Sequence, residues 1–163
     1  MADFTEHVNQ SNHNLLFLEK INGFDNCYDW QVTTAFYIAV HFVNAHIASQ
    51  INHHYRSHVD VDNCLNPFNG NSKCKLSEEV YLSYKKLLML SKRSRYLCND
   101  KIKTTETRAF FTYDKHLLKA IKNLDNLIHF LNQKYPGKLI KSRIKMRCPG
   151  LVQKEIKYID VLK

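Results

Sequence analysis

Apolar positions recur at steps of three and four over several long stretches of the chain and at a step of two near its C-terminal end. The strongest helical stretch runs from Asp25 to Asn52. There Trp30, Thr34, Tyr37, His41, Ala45 and Ala48 form one stripe, and Val32, Phe36, Val40, Val43, Ile47 and Ile51 form a second beside it. Two adjacent stripes make a wide buried face, so this helix is predicted at the centre of the fold, with Gln31, Asn44 and Gln50 left near water. A second helix is predicted from Ser77, an N-cap followed by Glu78 and Glu79, through Val80, Tyr84, Leu87, Leu90 or Ser91, and Leu97. Lys92, Arg93 and Arg95 fall in its last turns, where cations complement the helix dipole. Thr112 and Asp114 open a third, with Leu117, Ile121, Leu124, Ile128 and Leu131 on its apolar face and Pro136-Gly137 as its stop. Weaker patterns predict a helix ending before Gly23, through Leu15, Leu16, Leu18 and Ile21, and a short one from Ser57 to Leu65.

After Gly137 the period changes. Ile140, Ser142, Ile144, Met146 and Cys148 alternate with Lys141, Arg143, Lys145 and Arg147, which predicts an edge strand or an extended arm. Leu151 to Lys163 either pairs with it as a second strand or forms a final helix. Gly and Pro fall only at the boundaries of these segments, at Gly23, Pro67, Gly70, Pro136-Gly137 and Pro149-Gly150, which suits long helices separated by turns.

A length of 163 residues suits one domain, and 44% hydrophobic and 12% aromatic residues exclude a disordered chain. No apolar run approaches the ~20 residues of a membrane span. The acidic start, Met1 to Glu6, lacks the basic and apolar blocks of a secretory leader, so a cytoplasmic protein is expected. Five widely spaced cysteines without a C-x-x-C pair predict free thiols. Seven of the nine histidines lie in the first 58 residues. His54 and His58 would share a helical face, but with no further ligands identified a polar histidine-rich loop is expected, with no metal and no cofactor.

The string Trp30-Gln31-Val32-Thr33-Thr34-Ala35-Phe36-Tyr37-Ile38-Ala39-Val40-His41, then His58, then Tyr84 through Ser91-Lys92-Arg93-Ser94-Arg95-Tyr96, resembles the HEPN-like helical domains of prokaryotes, over roughly residues 25 to 131. The resemblance implies an all-α, up-and-down bundle of four to five helices over residues 1–137, with the basic extension 138–163 outside it. It also implies a homodimer and a place among ribonucleases, toxin and antitoxin pairs, and phage defence, with a toxin, nucleotidyltransferase or defence protein as partner. Catalytic members carry Arg followed after four to six residues by His. Here no Arg is followed by His at that spacing; from Arg108, His116 falls one residue beyond it.

Metal-free RNA cleavage needs a base, an acid and a cation for the phosphorane charge. His41, His58, Arg95 and Tyr96 are the candidates for those parts. The alternative makes His41 a hydrogen-bonded core histidine and Arg95 an ion-pair partner of Asp25 or Asp29. Charge is unevenly distributed: residues 1–72 hold two cations against seven acids, and residues 138–163 hold eight against two. This polarity favours RNA or another polyanion, with Lys92, Arg93, Lys101, Lys103, Lys141, Arg143, Lys145 and Arg147 as phosphate contacts. Tyr96, Phe110, Phe111 and Tyr113 are candidates for stacking on bases. A solvated basic face, or lysines that blunt an exposed strand edge, would give the same composition. Three functions remain: a non-catalytic RNA-binding module, a divergent metal-independent endoribonuclease, and a protein-binding, antitoxin-like or scaffold subunit.

Overall fold

A computed structural model describes residues 2–96 and 112–162. Its helices begin where local chemistry satisfies free backbone amides. Asp3 accepts from the Glu6 N–H at 2.8 Å while Glu6 Oε2 accepts from the Asp3 N–H at 2.9 Å, a capping box that opens α1 (Phe4–Ile21). Ser57 accepts through its side chain from the Val59 N–H and opens α3 (His58–Leu65). The Ser77 carbonyl accepts the Tyr81 N–H at the start of α4 (Glu78–Tyr96). Between them runs α2 (Tyr28–Ile51), which ends in Asn52 at φ +51°, a left-handed residue that turns the chain out of the helix. The last helix is α5 (Asp114–Lys134).

α2 packs against α1, α4 and α5, and α4 also packs against α5. Val32, Ala35, Phe36, Ile38, Ala39, Phe42, Val43, Ala45 and Ile47 are all fully buried there. The stripe predicted on α5 is buried at every position from Leu117 to Leu131, and Val80, Tyr84, Leu87, Leu90 and Ser91 are buried on α4. Leu97 lies outside the described residues. The all-α bundle expected from the sequence is therefore the architecture observed.

The extension 138–163 contributes Leu139, Ile144, Met146, Cys148, Leu151, Ile156 and Ile159 to the same core. Two short strands, β1 (Ile144–Met146) and β2 (Ile159–Val161), pair with Ile144 opposite Ile159 and Met146 opposite Val161. The pairing is parallel, because the chain between them turns at Pro149-Gly150 and crosses to α5 before returning. Side chains close the outer edges of this sheet. On the α1 side, the Lys145 N–H donates to Glu19 at 2.8 Å, and the Arg147 N–H donates to Asn22 at 2.7 Å. On the β2 side, the Val161 N–H donates to Gln153 Oε1 at 2.7 Å. Asp125, buried on α5, accepts from the Lys157 N–H at 3.0 and 3.1 Å and from the Tyr158 N–H at 2.8 Å. Ladder donors that two short strands cannot satisfy between themselves are met by helix side chains.

Candidate functional site

Three helices surround α2 and leave part of its first stripe uncovered. Trp30 is 63% exposed and Tyr37 38% exposed, against the expectation that both lie in the core, while Gln31 and Asn44, expected near water, are each 2% exposed. Their hydrogen bonds explain the reversal. Gln31 donates to the Ile21 carbonyl and accepts from Asn22 at the α1–α2 turn, and Asn44 accepts from the Tyr55 N–H at 3.0 Å. Polar side chains that serve backbone groups at helix junctions are buried with them, and the aromatic rings take the open side.

Arg95, at the end of α4, lies against this open side. Its Nε donates to Ser91 Oγ at 3.0 Å, and Nη1 approaches the hydroxyls of Tyr37 and Tyr96 at 3.4 and 3.3 Å. The guanidinium carbon sits 4.9 Å from the centre of the Tyr96 ring, 5.7 Å from Tyr37 and 5.8 Å from Phe36. Aromatic faces and hydroxyls hold this cation where Asp25 or Asp29 was the expected alternative. Tyr96 is 62% exposed beside it. His58, at the start of α3, packs its ring 5.2 Å from Phe36. Burial, and then the positive charges of Arg95 and Lys92, hold its pKa below the usual imidazole value. The fold thus gathers His58 and the adjacent Arg95-Tyr96 from two distant places in the sequence around Tyr37 and Phe36.

His41 lies one turn beyond Tyr37 on α2 and turns to α1. His7 Nδ1 is 3.2 Å from His41 Nδ1, and His7 Nε2 is 3.3 Å from His54 Nδ1. A neutral imidazole carries one N–H, so His7 donates to one neighbour and accepts from the other, linking α1, α2 and the α2–α3 connection. Burial, with His41 and His54 adding to it, draws the His7 pKa down to about 4; burial lowers that of His41. His7 gave no signal in the sequence because its partners are 34 and 47 residues away. His54 and His58 do not share a helical face, since the helix stops at Asn52 and restarts only after Ser57. Among the described residues no three His, Cys, Asp or Glu side chains converge as metal ligands.

The cations predicted to meet phosphate divide among three places. Lys92 is exposed on α4 on the side of Arg95 and His58, whereas Arg93, half-buried, lines a groove with His116 and Lys119 of α5. Lys141, Arg143, Lys145 and Arg147 are all exposed along the segment that contains β1, which packs on α1. Within that row Arg143 pairs with Asp160 at 2.8 Å and Lys141 Nζ donates to Asn9 at 2.7 Å. Lys101 and Lys103, with Phe110 and Phe111, lie outside the described residues. Comparison with protein-family models, curated proteins and solved structures finds no match to this chain.

Proposed function

We propose that the protein is a non-catalytic module that binds single-stranded RNA, with the aromatic and cationic face around Arg95 as the site of base contact. The observation that carries this reading is the cluster where α2 meets the end of α4, in which Tyr37 and Tyr96 are exposed around a guanidinium held in place by Ser91 and two tyrosine hydroxyls. Exposed rings stack on unpaired bases of any sequence, and a fixed guanidinium adds both charge and a flat face. Lys92 extends the positive charge of this face, and the exposed cations from Lys141 to Arg147 supply a second run of phosphate contacts. The HEPN resemblance supports RNA as the polyanion. A single-stranded RNA oligonucleotide titrated into the full chain in EDTA at two salt concentrations tests the reading. Salt-sensitive binding that Tyr96→Ala weakens supports it; no binding at low salt refutes it.

A second reading is metal-independent RNA cleavage, and the juxtaposition of His58 and Arg95 favours it. A histidine kept neutral beside a fixed cation has the parts of a general base next to a stabiliser of developing phosphorane charge. Tyr96 would then protonate the leaving oxygen. Cleavage in EDTA that is lost in both His58→Ala and Arg95→Ala proteins would establish this chemistry; intact RNA after prolonged incubation would remove it.

A further inference from the structure

A cavity of about 430 Å³ opens where the first turns of α1, the last turn of α2 and the segment after α5 meet. Phe4, Val8 and Tyr135 supply its apolar surface, and Lys138 and Lys141 stand over it; none of its lining residues is acidic. The walls are held in position by groups behind them. The Phe4 and Tyr135 rings pack at 5.1 Å with a 55° tilt. The Tyr135 hydroxyl meets His46 Nδ1 at 2.8 Å and accepts from Gln50 Nε2 at 3.3 Å. Lys141 is fixed twice: its Nζ donates to Asn9 Oδ1 at 2.7 Å and its backbone N–H donates to Asn12 Oδ1 at 2.9 Å. Such a pocket is shaped before any ligand arrives, which lowers the ordering cost of binding.

We infer that this cavity binds a small aromatic anion, its ring against Phe4 and Tyr135 and its acid group between Lys138 and Lys141. The volume lies in the range of small-molecule sites, and an apolar floor with a few convergent polar groups is their usual composition. Two ammonium groups without a carboxylate among the lining residues select a negative charge; two rings tilted to each other select a flat body over a branched one. The site lies at the C-terminal end of α2, with Ser49 on its rim, while Trp30 and Tyr37 lie in the N-terminal half of that helix. It is therefore independent of the RNA reading, sharing only Lys141 with the exposed row, and its test contains no RNA.

The experiment is a titration of the isotope-labelled full chain with 1-naphthoate, and separately with the uncharged 1-naphthalenemethanol, followed by amide NMR shifts. Naphthoate is expected to give saturable shifts concentrated at Phe4, Val8, Tyr135, Lys138 and Lys141. The alcohol, and naphthoate on the Lys138→Glu protein, are expected to bind about fivefold more weakly or worse. Ser49→Trp, which puts an indole into the cavity, is expected to abolish the shifts. Thr5→Trp on the same rim serves if the first replacement disturbs the fold. Shifts scattered over the surface, no shift at millimolar naphthoate, equal affinity for acid and alcohol, or binding that survives a folded rim-tryptophan variant each overturns the assignment.

Discussion

The two basic regions of this protein are built in different ways. Around β1 the cations are neighbours in sequence, with Lys141, Arg143, Lys145 and Arg147 at alternate positions and all exposed, although only Lys145 lies within the strand. Around Arg95 the neighbours are distant in sequence, since Tyr37 comes from α2 and His58 from the start of α3. The first arrangement offers charge on an exposed ridge whose backbone is tied to α1. The second offers charge with a defined orientation, set by ring faces, hydroxyls and Ser91. A polyanion would feel the ridge mainly through salt-dependent attraction, and the Arg95 face through stacking as well. Electrostatic footprint and shape recognition are therefore separable by mutation.

The largest expected effect of a single substitution comes from removing what fastens the basic extension to the bundle. Asp125→Ala leaves the Lys157 and Tyr158 N–H groups without their acceptor and is expected to cost about 3 kcal/mol in denaturant unfolding. The loss should appear first as increased amide exchange in residues 139–161, with α4 little affected; uniform exchange across the chain would contradict separate anchorage of the two basic regions.

Acid acts on the bundle that carries both regions. His7 and His46 are both held neutral by burial, with pKa values drawn from 6.5 to about 4. Between those values the unfolded chain binds more protons than the folded one. Stability is therefore full above about pH 6.5, falls as the pH drops through that window, and levels near pH 4, by up to about 3 kcal/mol per histidine. His7→Gln should flatten this decline in a series of urea melts, whereas Lys145→Gln on the tail row should leave it unchanged.

RNA affinity separates the two regions directly. Tyr96→Ala is expected to weaken binding of single-stranded RNA by about 1–3 kcal/mol without changing the salt slope. Arg143→Gln with Arg147→Gln should instead reduce the slope of log K against log salt by about 1.4. Equal changes of slope in the two proteins would merge the regions into one electrostatic surface. The smallest effect belongs to the half-exposed Arg143–Asp160 pair, where Asp160→Asn should change stability by no more than about 0.5 kcal/mol in thermal melts.

Much of the fold was legible because helices and strands impose their periods on residues close in sequence. The α5 stripe from Leu117 to Leu131 and the α3 start at Ser57 follow from spacing and capping alone, as does the alternation from Ile144 to Cys148, though not at Ser142, which is exposed with its neighbours. The same local rules predicted two buried stripes on α2, and there they failed for Trp30, Tyr37, Gln31 and Asn44. Apolar periodicity marks every face a helix could bury, but the neighbours decide which one is covered. Of the proposed site, His58, Arg95 and Tyr96 were named from residue type, while His7 as the partner of His41, Tyr37 as a partner of Arg95, and the cavity at Phe4 and Tyr135 were not.

What the sequence by itself determined is the helical class, the extents of the main helices and a short alternating segment around Ile144–Met146, all set by interactions within about one or two helical turns. Only the tertiary structure decided that β1 and β2 run parallel, that α2 keeps an aromatic side open, and that three histidines meet through His7. These depend on contacts between residues far apart in the chain. Their geometry is fixed by which faces α1, α4 and α5 cover and by which backbone groups still need a partner once they have packed.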